Sequence, residues 1–164
     1  MEPTPDELAG VVDGFGGLTR RELRTALADL AARAGEGEAV DLGDLVDEAI
    51  ESYYLLELDP DEALADPEAA PDDEPLLIPG PAALPELPDG GEDLPHLLAI
   101  EPRSVDREAA AGAAESALRA DAAAAIDDGD TERAALLLDA CYEVEAWGPV
   151  DLGDAKAGLA ALLE

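Results

Sequence analysis

Positively charged residues are scarce in this chain. Its 164 residues include nine Lys and Arg against 41 Asp and Glu, so the formal net charge is −32. Repulsion among that many carboxylates destabilises a compact state at ordinary ionic strength, and halophilic proteins carry charge of this kind. At about 1 M salt the Debye length falls to about 3 Å, and neighbouring carboxylates then hardly repel one another. The charge balance therefore favours a protein that works in concentrated salt.

Cysteine and long apolar runs are also nearly absent. Cys141 is the single cysteine, which excludes an intramolecular disulfide and implies no oxidising compartment. The first seven residues are acidic and polar, unlike a secretory signal, and no apolar run approaches the roughly 20 residues that span a membrane. We therefore expect a soluble, cytoplasmic protein from a salt-accumulating organism, with no membrane partner.

Aromatic residues make up 3% of the chain, yet hydrophobic residues make up 48%, many of them alanine. Two rival interpretations of the charge, a disordered acidic chain and an acidic nucleic-acid mimic, fit less well. Disorder requires low hydrophobicity, and the charges are spread through every segment without a single acidic tail. The composition indicates a modest core of Leu, Val, Ile and Ala.

Helix signals dominate the N-terminal third. Thr4–Glu7 and Thr19–Glu22 are capping boxes, in which the Thr and Glu side chains cap a helix start reciprocally. The first helix should end near Gly14–Gly17, and the second at the glycines that follow its apolar stripe. A third helix should begin at Asp41 or Asp44. All three carry apolar residues at helical spacing, so they should share one core.

The middle of the chain changes character. Tyr54–Leu58 and Leu76–Pro79 are short apolar segments that we expect to pair as strands, with Leu97–Ile100 as a candidate third strand. Residues 59–75 are rich in Asp, Glu, Ala and Pro and should form a mobile, solvated loop.

The segment Gly80–Pro95 is rich in proline and glycine but keeps three leucines. A disordered linker would not need them. We therefore expect the segment to lie extended on the surface, with Leu84, Leu87 and Leu94 packed against the protein.

Three helices are predicted in the C-terminal part. Ser104 should cap the first, which runs to about Ile126, and the second should run from about Thr131 to Ala146. Asp151 should cap the third.

The order of these elements sets the fold class and resembles a winged helix over residues 4 to about 80. We predict a mainly α protein: a three-helix, winged-helix-like N-terminal part with short β-strands, then a C-terminal helical hairpin or three-helix unit. The corresponding domains are 1–58, 59–102 and 103–164. In a winged helix the third helix reads DNA. Here its exposed positions are acidic and would be repelled by phosphates; they are Asp44, Asp47, Glu48 and Glu51.

Catalytic chemistry is poorly represented. His96 is the single histidine and is interpreted as a packed or rim side chain, and Cys141 as a small core residue. Asp127–Asp130 lacks the ligand spacing of a calcium loop and is interpreted as a turn. The sequence contains no motif of a metal, nucleotide or redox site. We therefore predict no catalytic residue, no metal and no cofactor; an enzyme centred on His96 would need a deep pocket there.

The scarce cations are the most informative site candidates. Arg20, Arg21 and Arg24 place a third of all cations within five positions, at the start of the second helix. They are interpreted either as paired with neighbouring carboxylates or as an anion-recognising patch for nucleic acid or an acidic partner. Arg103 and Arg107 form a second, weaker pair at the start of the fourth helix.

The chain as a whole also resembles a family of uncharacterised haloarchaeal proteins. The segments that carry the resemblance are Phe15–Leu23, Pro79–Pro81, Glu92–His96, Arg103–Glu108 and Ala146–Asp151. The resemblance implies a halophilic origin and no particular activity.

Taken together, these features favour a non-enzymatic adaptor or regulator that binds another protein. The alternative is a winged-helix-like DNA-binding regulator that uses Arg20, Arg21 and Arg24. Homo-oligomerisation is left open by the sequence.

Overall fold

A computed structural model describes residues 3–35, 42–66, 68, 70, 74–88 and 90–164. Over these residues the protein is mainly helical with one short two-stranded sheet, which confirms the predicted fold class. A third-helix start at Asp41 lies outside the described residues. In chain order the elements are α1 (Pro5–Phe15), α2 (Arg20–Arg33), α3 (Leu42–Glu51), β1 (Leu55–Leu58), α4 (Pro60–Ala63), β2 (Leu76–Pro79), a 3₁₀ turn (Gly91–Asp93), α5 (Leu94–Leu97), α6 (Arg107–Asp128), α7 (Thr131–Trp147) and α8 (Gly153–Leu163).

The chain forms two compact units, Met1–Val105 and Asp106–Glu164. The first contains α1 to α5 and the sheet, and the second contains α6 to α8. Residues 59–102, which the sequence sets apart, fall within the first unit. Their backbone is hydrogen-bonded to α1: the Glu86 N–H donates to Asp6 O over 3.0 Å.

Both predicted capping boxes form and set the starts of the first two helices. Thr4 Oγ1 accepts from the Glu7 N–H over 3.1 Å, and Glu7 Oε1 accepts from the Thr4 N–H over 3.0 Å. Thr19 and Glu22 repeat the arrangement at α2. Helix α1 ends at Gly16, whose φ of 81° is the left-handed conformation that glycine adopts readily. The apolar faces of α1, α2 and α3 share one core, which includes Leu8, Val12, Phe15, Leu23, Leu27 and Val46.

The two strands pair with each other, as predicted, and the pairing is antiparallel. Leu56 lies opposite Ile78 in the register. Tyr53 follows the end of α3 with a φ of 63° and is 2% exposed. The left-handed backbone conformation of Tyr53 turns the chain from α3 into β1. A further antiparallel bridge joins Leu18, between α1 and α2, to Leu77 of β2.

Two predictions for the middle of the chain are wrong. Part of residues 59–75 forms α4, followed by a buried Leu64 that bridges Val105. This part of the acidic stretch is ordered because the backbone of Leu64 pairs with that of Val105, which lies far along the chain. Residues 97–100 do not form a strand: α5 occupies Leu94–Leu97, and its first residue is 1% exposed.

The second unit is built from α6, α7 and α8. Asp106, not Ser104, caps α6, because its Oδ1 accepts from the Ala109 N–H over 3.1 Å, whereas the Ser104 carbonyl accepts from Ala65 in the first unit. Helix α8 begins two residues after Asp151, whose Oδ1 accepts from the N–H of its first residue over 2.9 Å. The core includes Ala114, Leu118, Leu137, Val144 and Leu159. Within the described residues, no helix has both the length and the apolarity that a membrane crossing requires.

Candidate functional site

Arg20 is held by carboxylates from two other elements. Its Nε donates to Glu57 Oε2 on β1 over 2.6 Å, and its Nη2 donates to Asp47 Oδ1 on α3 over 2.9 Å. The hydrogen bond with Glu57 is the main cause that raises the pKa of Arg20. Arg20 therefore ties α2 to α3 and the sheet, and its charge is neutralised within the unit.

Arg21 and Arg24 point to solvent but differ in their partners. Arg21 forms an ion pair with Glu74 over 2.9 Å, with its side chain 70% exposed. Arg24 is exposed and makes no ion pair or side-chain hydrogen bond with the described residues. Of the three candidate arginines on α2, Arg24 has the guanidinium that is open to an external anion.

Arg103 lies in the interior of the first unit. Its Nη1 donates to Gly17 O over 2.9 Å and to Glu22 Oε1 over 2.6 Å, while its Nη2 donates to Glu22 Oε2 over 3.0 Å. The Arg103 and Glu22 side chains are 5% and 17% exposed. Such a buried, bidentate ion pair makes strong charge-assisted hydrogen bonds. It leaves the guanidinium inaccessible to an external anion.

Glu22 performs two tasks at once. Its Oε1 accepts from the Thr19 N–H over 2.9 Å, which closes the capping box of α2, while the carboxylate also holds Arg103. Burial acts to raise the pKa of Glu22, but the hydrogen bonds from Arg103 and Thr19 outweigh it and bring the pKa below its ordinary value. The carboxylate is therefore ionised at neutral pH and joins the α1–α2 turn to the segment that ends the first unit.

Arg107 belongs to the second unit. Its guanidinium carbon lies 5.0 Å from the centroid of the Trp147 ring, a distance at which a cation–π contact forms. The sequence-based prediction treats Arg103 and Arg107 as one pair of cations. In the structure each has its own partner, and the two belong to different units.

The two candidates for reactive chemistry, His96 and Cys141, belong to different units and differ in solvent exposure. His96 is exposed on α5, and Cys141 is fully buried on α7, where burial raises the pKa of its thiol. Among the described residues, no group of three His, Cys, Asp or Glu side chains is placed to hold a metal ion. An open cavity of about 320 Å³ lies away from His96, and its lining residues are Pro3, Thr4, Pro5, Leu8, Leu45 and Glu48.

Residues 81–88 form a strap that lies along α1. Asp6 anchors it twice: its Oδ1 accepts from the Leu84 N–H over 3.0 Å, and its carbonyl accepts from the Glu86 N–H over 3.0 Å. Gly10 permits the close approach, because a Cβ at this position would overlap the backbone carbonyl of Glu86. The strap is therefore fixed through its backbone.

Helix α5 lies beside α1 one turn further along, where Gly14 is itself exposed. A Cβ on Gly14 would lie 4.0 Å from the Pro95 side chain. Gly10 and Gly14 are four residues apart, so the strap and α5 contact α1 at points about 6 Å apart along the helix axis. Gly10 is thus buried under the strap, whereas Gly14 remains exposed beside α5.

The strap and α5 leave three leucines exposed to solvent, and we call these three side chains the apolar patch. The patch consists of Leu84, Leu87 and Leu97, which are 79%, 48% and 55% exposed. The prediction that Leu94 packs inward is confirmed, but the same prediction is wrong for Leu84 and Leu87. The strap binds α1 through backbone hydrogen bonds over Gly10, so it has no need to insert these leucines. The sequence signal that was missed is Gly10 within α1, where the absence of a Cβ admits the backbone of the strap.

Residues 6–164 match the profile of a family of unknown function, DUF7109, and the chain belongs to that family. No curated protein and no solved structure matches the chain. The family match covers both units and brings no activity with it.

Proposed function

We propose that this chain is a non-enzymatic adaptor or regulator that binds another protein through its apolar patch. The observation that carries the proposal is the exposure of Leu84, Leu87 and Leu97 on segments anchored to α1. Several exposed large apolar side chains on neighbouring segments favour an interaction surface when they form one patch, and the proposal is that these three leucines do so. Because the strap is already fixed in the free protein, a partner would lose little conformational entropy by ordering it.

The double variant Leu84→Ser, Leu87→Ser tests the patch. Removing two leucines from an interface forfeits roughly 1.5–3 kcal/mol each, so the amount of bound partner should fall at least about tenfold. The measurement is quantitative capture by the tagged full chain in molar KCl, followed by the stoichiometry of what is retained.

The matched control is Leu163→Ser, which removes a leucine that is 40% exposed on α8 in the second unit. It should retain the partner at the level of the wild-type chain. If the wild type retains no stoichiometric partner, or if the double variant retains as much as the wild type, the proposed function is wrong.

We further propose that the protein is halophilic, of haloarchaeal origin and cytoplasmic. The support is the net charge of −32, spread over both units, together with the small number of cations, most of which are used in internal ion pairs. In molar salt this charge is screened, and the acidic surface keeps the protein hydrated and dispersed.

Thermal unfolding should therefore shift strongly with salt. Raising KCl from about 0.1 M to about 3 M should increase the Tm by at least about 10 °C, because screening removes repulsion that is present mainly in the folded state. Circular dichroism at increasing KCl measures the shift. Sucrose is the control, since it stabilises folded proteins without screening charge. A Tm that does not respond to KCl, or a low helix content in concentrated KCl, would refute the halophilic proposal.

Duplex DNA binding is the second candidate function. Three helices followed by two antiparallel strands support a winged-helix-like arrangement, and exposed Arg24, near Arg21, makes no ion pair with the described part of the chain. The acidic exposed positions of α3 argue against that helix as the reading element, since they would face phosphates. On this candidate, the contact with DNA is made through α2.

Arg24→Ala distinguishes this candidate. If Arg24 contacts a phosphate, the variant should bind a labelled duplex more weakly, and the slope of log affinity against log salt should fall by about one. Fluorescence anisotropy across KCl concentrations measures both quantities. Arg119→Ala, which removes the same charge from the second unit, should leave the slope unchanged. DNA binding by this surface is ruled out if the wild type binds no duplex or if Arg24→Ala binds equally well.

A further inference from the structure

The second unit contains a buried carboxylate oxygen that has no hydrogen-bond partner. Glu143 lies on α7 with its side chain partly buried, and its Oε2 atom is fully buried without a hydrogen bond to any described residue. Native proteins pair nearly all their buried polar atoms, so an unpaired one calls for a physical explanation. Burying an ionised carboxylate without a partner costs far more free energy than burying the neutral carboxyl.

The four cations of the second unit all interact with other groups. Within the described residues, each has a partner other than Glu143: Arg107 lies over the Trp147 ring, Arg119 pairs with Glu115, Arg133 pairs with Asp121, and Lys156 pairs with Glu145. The α6 carboxylates in this set are neutralised by their arginines and do not act on Glu143. Helices α6 and α8, which pack against α7, therefore supply no counter-ion to Glu143 in the described part of the chain.

A second carboxylate adds to the cost of ionising Glu143. Asp139 is exposed and lies one helical turn before Glu143 on α7, where side chains four residues apart are neighbours. Burial is the main cause that raises the pKa of Glu143, and among the described residues Asp139 is the one charged group that raises it further. The folded unit therefore binds the Glu143 proton more tightly than the unfolded chain does.

Trp147 lies next to this pair of carboxylates and can report on it. It follows Glu143 by one helical turn, so Asp139, Glu143 and Trp147 form a row along α7. Trp147 is also the only tryptophan in the chain, so its fluorescence can be excited without a contribution from any other residue of that type. A movement of the Glu143 carboxyl changes the polarity beside the Trp147 ring.

We infer that Glu143 is a proton-operated switch in the second unit: its protonated carboxyl occupies the buried position, and its ionised carboxylate leaves that position for water. The inference goes beyond the proposed protein-binding function and does not depend on it, because that function rests on leucines of the first unit. Since the folded unit holds the proton more tightly, the contribution of Glu143 to stability is complete below the ordinary Glu pKa of about 4.3. It is lost as the pH rises through the folded value.

A pH titration of Trp147 fluorescence tests the switch in the full chain. At about 2 M KCl the exposed carboxylates are screened while a buried one is screened much less, so the emission should change with a midpoint above about pH 4.3. Glu143→Gln should remove this transition. Glu132→Gln, which neutralises an exposed carboxylate in the first turn of the same helix, should leave it unchanged. Asp139→Asn should keep the transition and move it to lower pH, because one source of repulsion is gone.

Two further measurements do not depend on tryptophan emission alone. Carbon-13 NMR of the labelled full chain follows the Glu143 carboxyl directly, and its absence in Glu143→Gln assigns the resonance. In denaturant titrations, Glu143→Gln should unfold at a higher denaturant concentration than the wild type at neutral pH, and the difference should disappear below about pH 4. A carboxyl midpoint at or below about 4.3, an unchanged fluorescence transition in Glu143→Gln, or loss of that transition in Asp139→Asn would each overturn the inference.

Discussion

Replacing Arg103 with methionine is expected to lower the free energy of unfolding by about 3–5 kcal/mol, the usual cost of leaving a buried charge without its partner. Methionine keeps most of the side-chain volume, so the loss reports on charge and hydrogen bonding more than on packing. Glu22 would remain 17% exposed with a negative charge and no counter-ion, and Gly17 O would lose a donor. Denaturant titration in molar KCl measures the change.

A second substitution restores part of the loss. Adding Glu22→Gln to Arg103→Met removes the unpaired charge and keeps an acceptor for the Thr19 N–H, so the double variant should be more stable than Arg103→Met alone. Asp29→Asn is the control, because it breaks an Arg33 pair in which both side chains are 36% exposed and should cost at most about 1 kcal/mol. Equal losses in Arg103→Met and Asp29→Asn would contradict a structural role for Arg103.

The same pair predicts a pH dependence. The pKa of Glu22 is lowered in the folded state, so its contribution to stability is complete above the ordinary Glu pKa of about 4.3 and is lost as the pH falls through the folded value. In Arg103→Met, protonation of Glu22 instead relieves an unpaired buried charge. The difference in unfolding free energy between wild type and Arg103→Met should therefore be largest near neutral pH and shrink below about pH 4.

Gly16→Ala is expected to destabilise the first unit by about 2–5 kcal/mol. Gly16 has a φ of 81°, which costs a residue with a Cβ roughly 1–2 kcal/mol, and a methyl group here would also overlap the backbone carbonyl of Arg103. Forcing that backbone away costs about 1–3 kcal/mol more. It would also strain the nearby hydrogen bond from the Arg103 N–H to Phe15 O, which measures 2.8 Å.

The variant Gly129→Ala separates the conformational cost of a positive φ from the cost of the steric overlap. Gly129 ends α6 as Gly16 ends α1, with a φ of 64°, but a Cβ there would meet no atom within 4 Å. Its replacement should cost only the conformational part, about 1–2 kcal/mol. The excess loss in Gly16→Ala, measured by denaturant titration of both variants, then reports the contact with Arg103. Equal losses at the two positions would show that the segment around Arg103 yields without cost.

The helix starts were predictable because capping is local. Thr4 and Thr19 bond to groups three residues away, so the sequence contains both partners of each interaction. Ser104 and Asp106 show where this reasoning fails, since both are good cap residues and only pairing with a distant segment decides between them. The pairing of β1 with β2 was predictable because both segments are apolar and short, but the interposed α4 was not.

The sequence alone could not predict which carboxylates pair with the arginines. Arg20 bonds to Glu57, 37 positions away, and Arg103 bonds to Glu22, 81 positions away. With 41 carboxylates in the chain, spacing alone cannot select a partner for a given cation. The five candidate arginines of the sequence therefore have different surroundings: Arg103 is buried, Arg20 and Arg21 are in ion pairs, Arg107 lies over Trp147, and Arg24 is exposed.

The amino-acid sequence by itself determined the helical class, the starts of α1 and α2 and the net charge of this protein, because periodicity, capping boxes and net charge depend on neighbouring residues or on simple sums. The tertiary structure alone decided which leucines face solvent and which arginines form ion pairs within the protein. Both outcomes depend on backbone approaches between distant segments, such as the strap over Gly10 and Arg103 against Gly16, where the absence of a side chain on one segment admits the main chain of another.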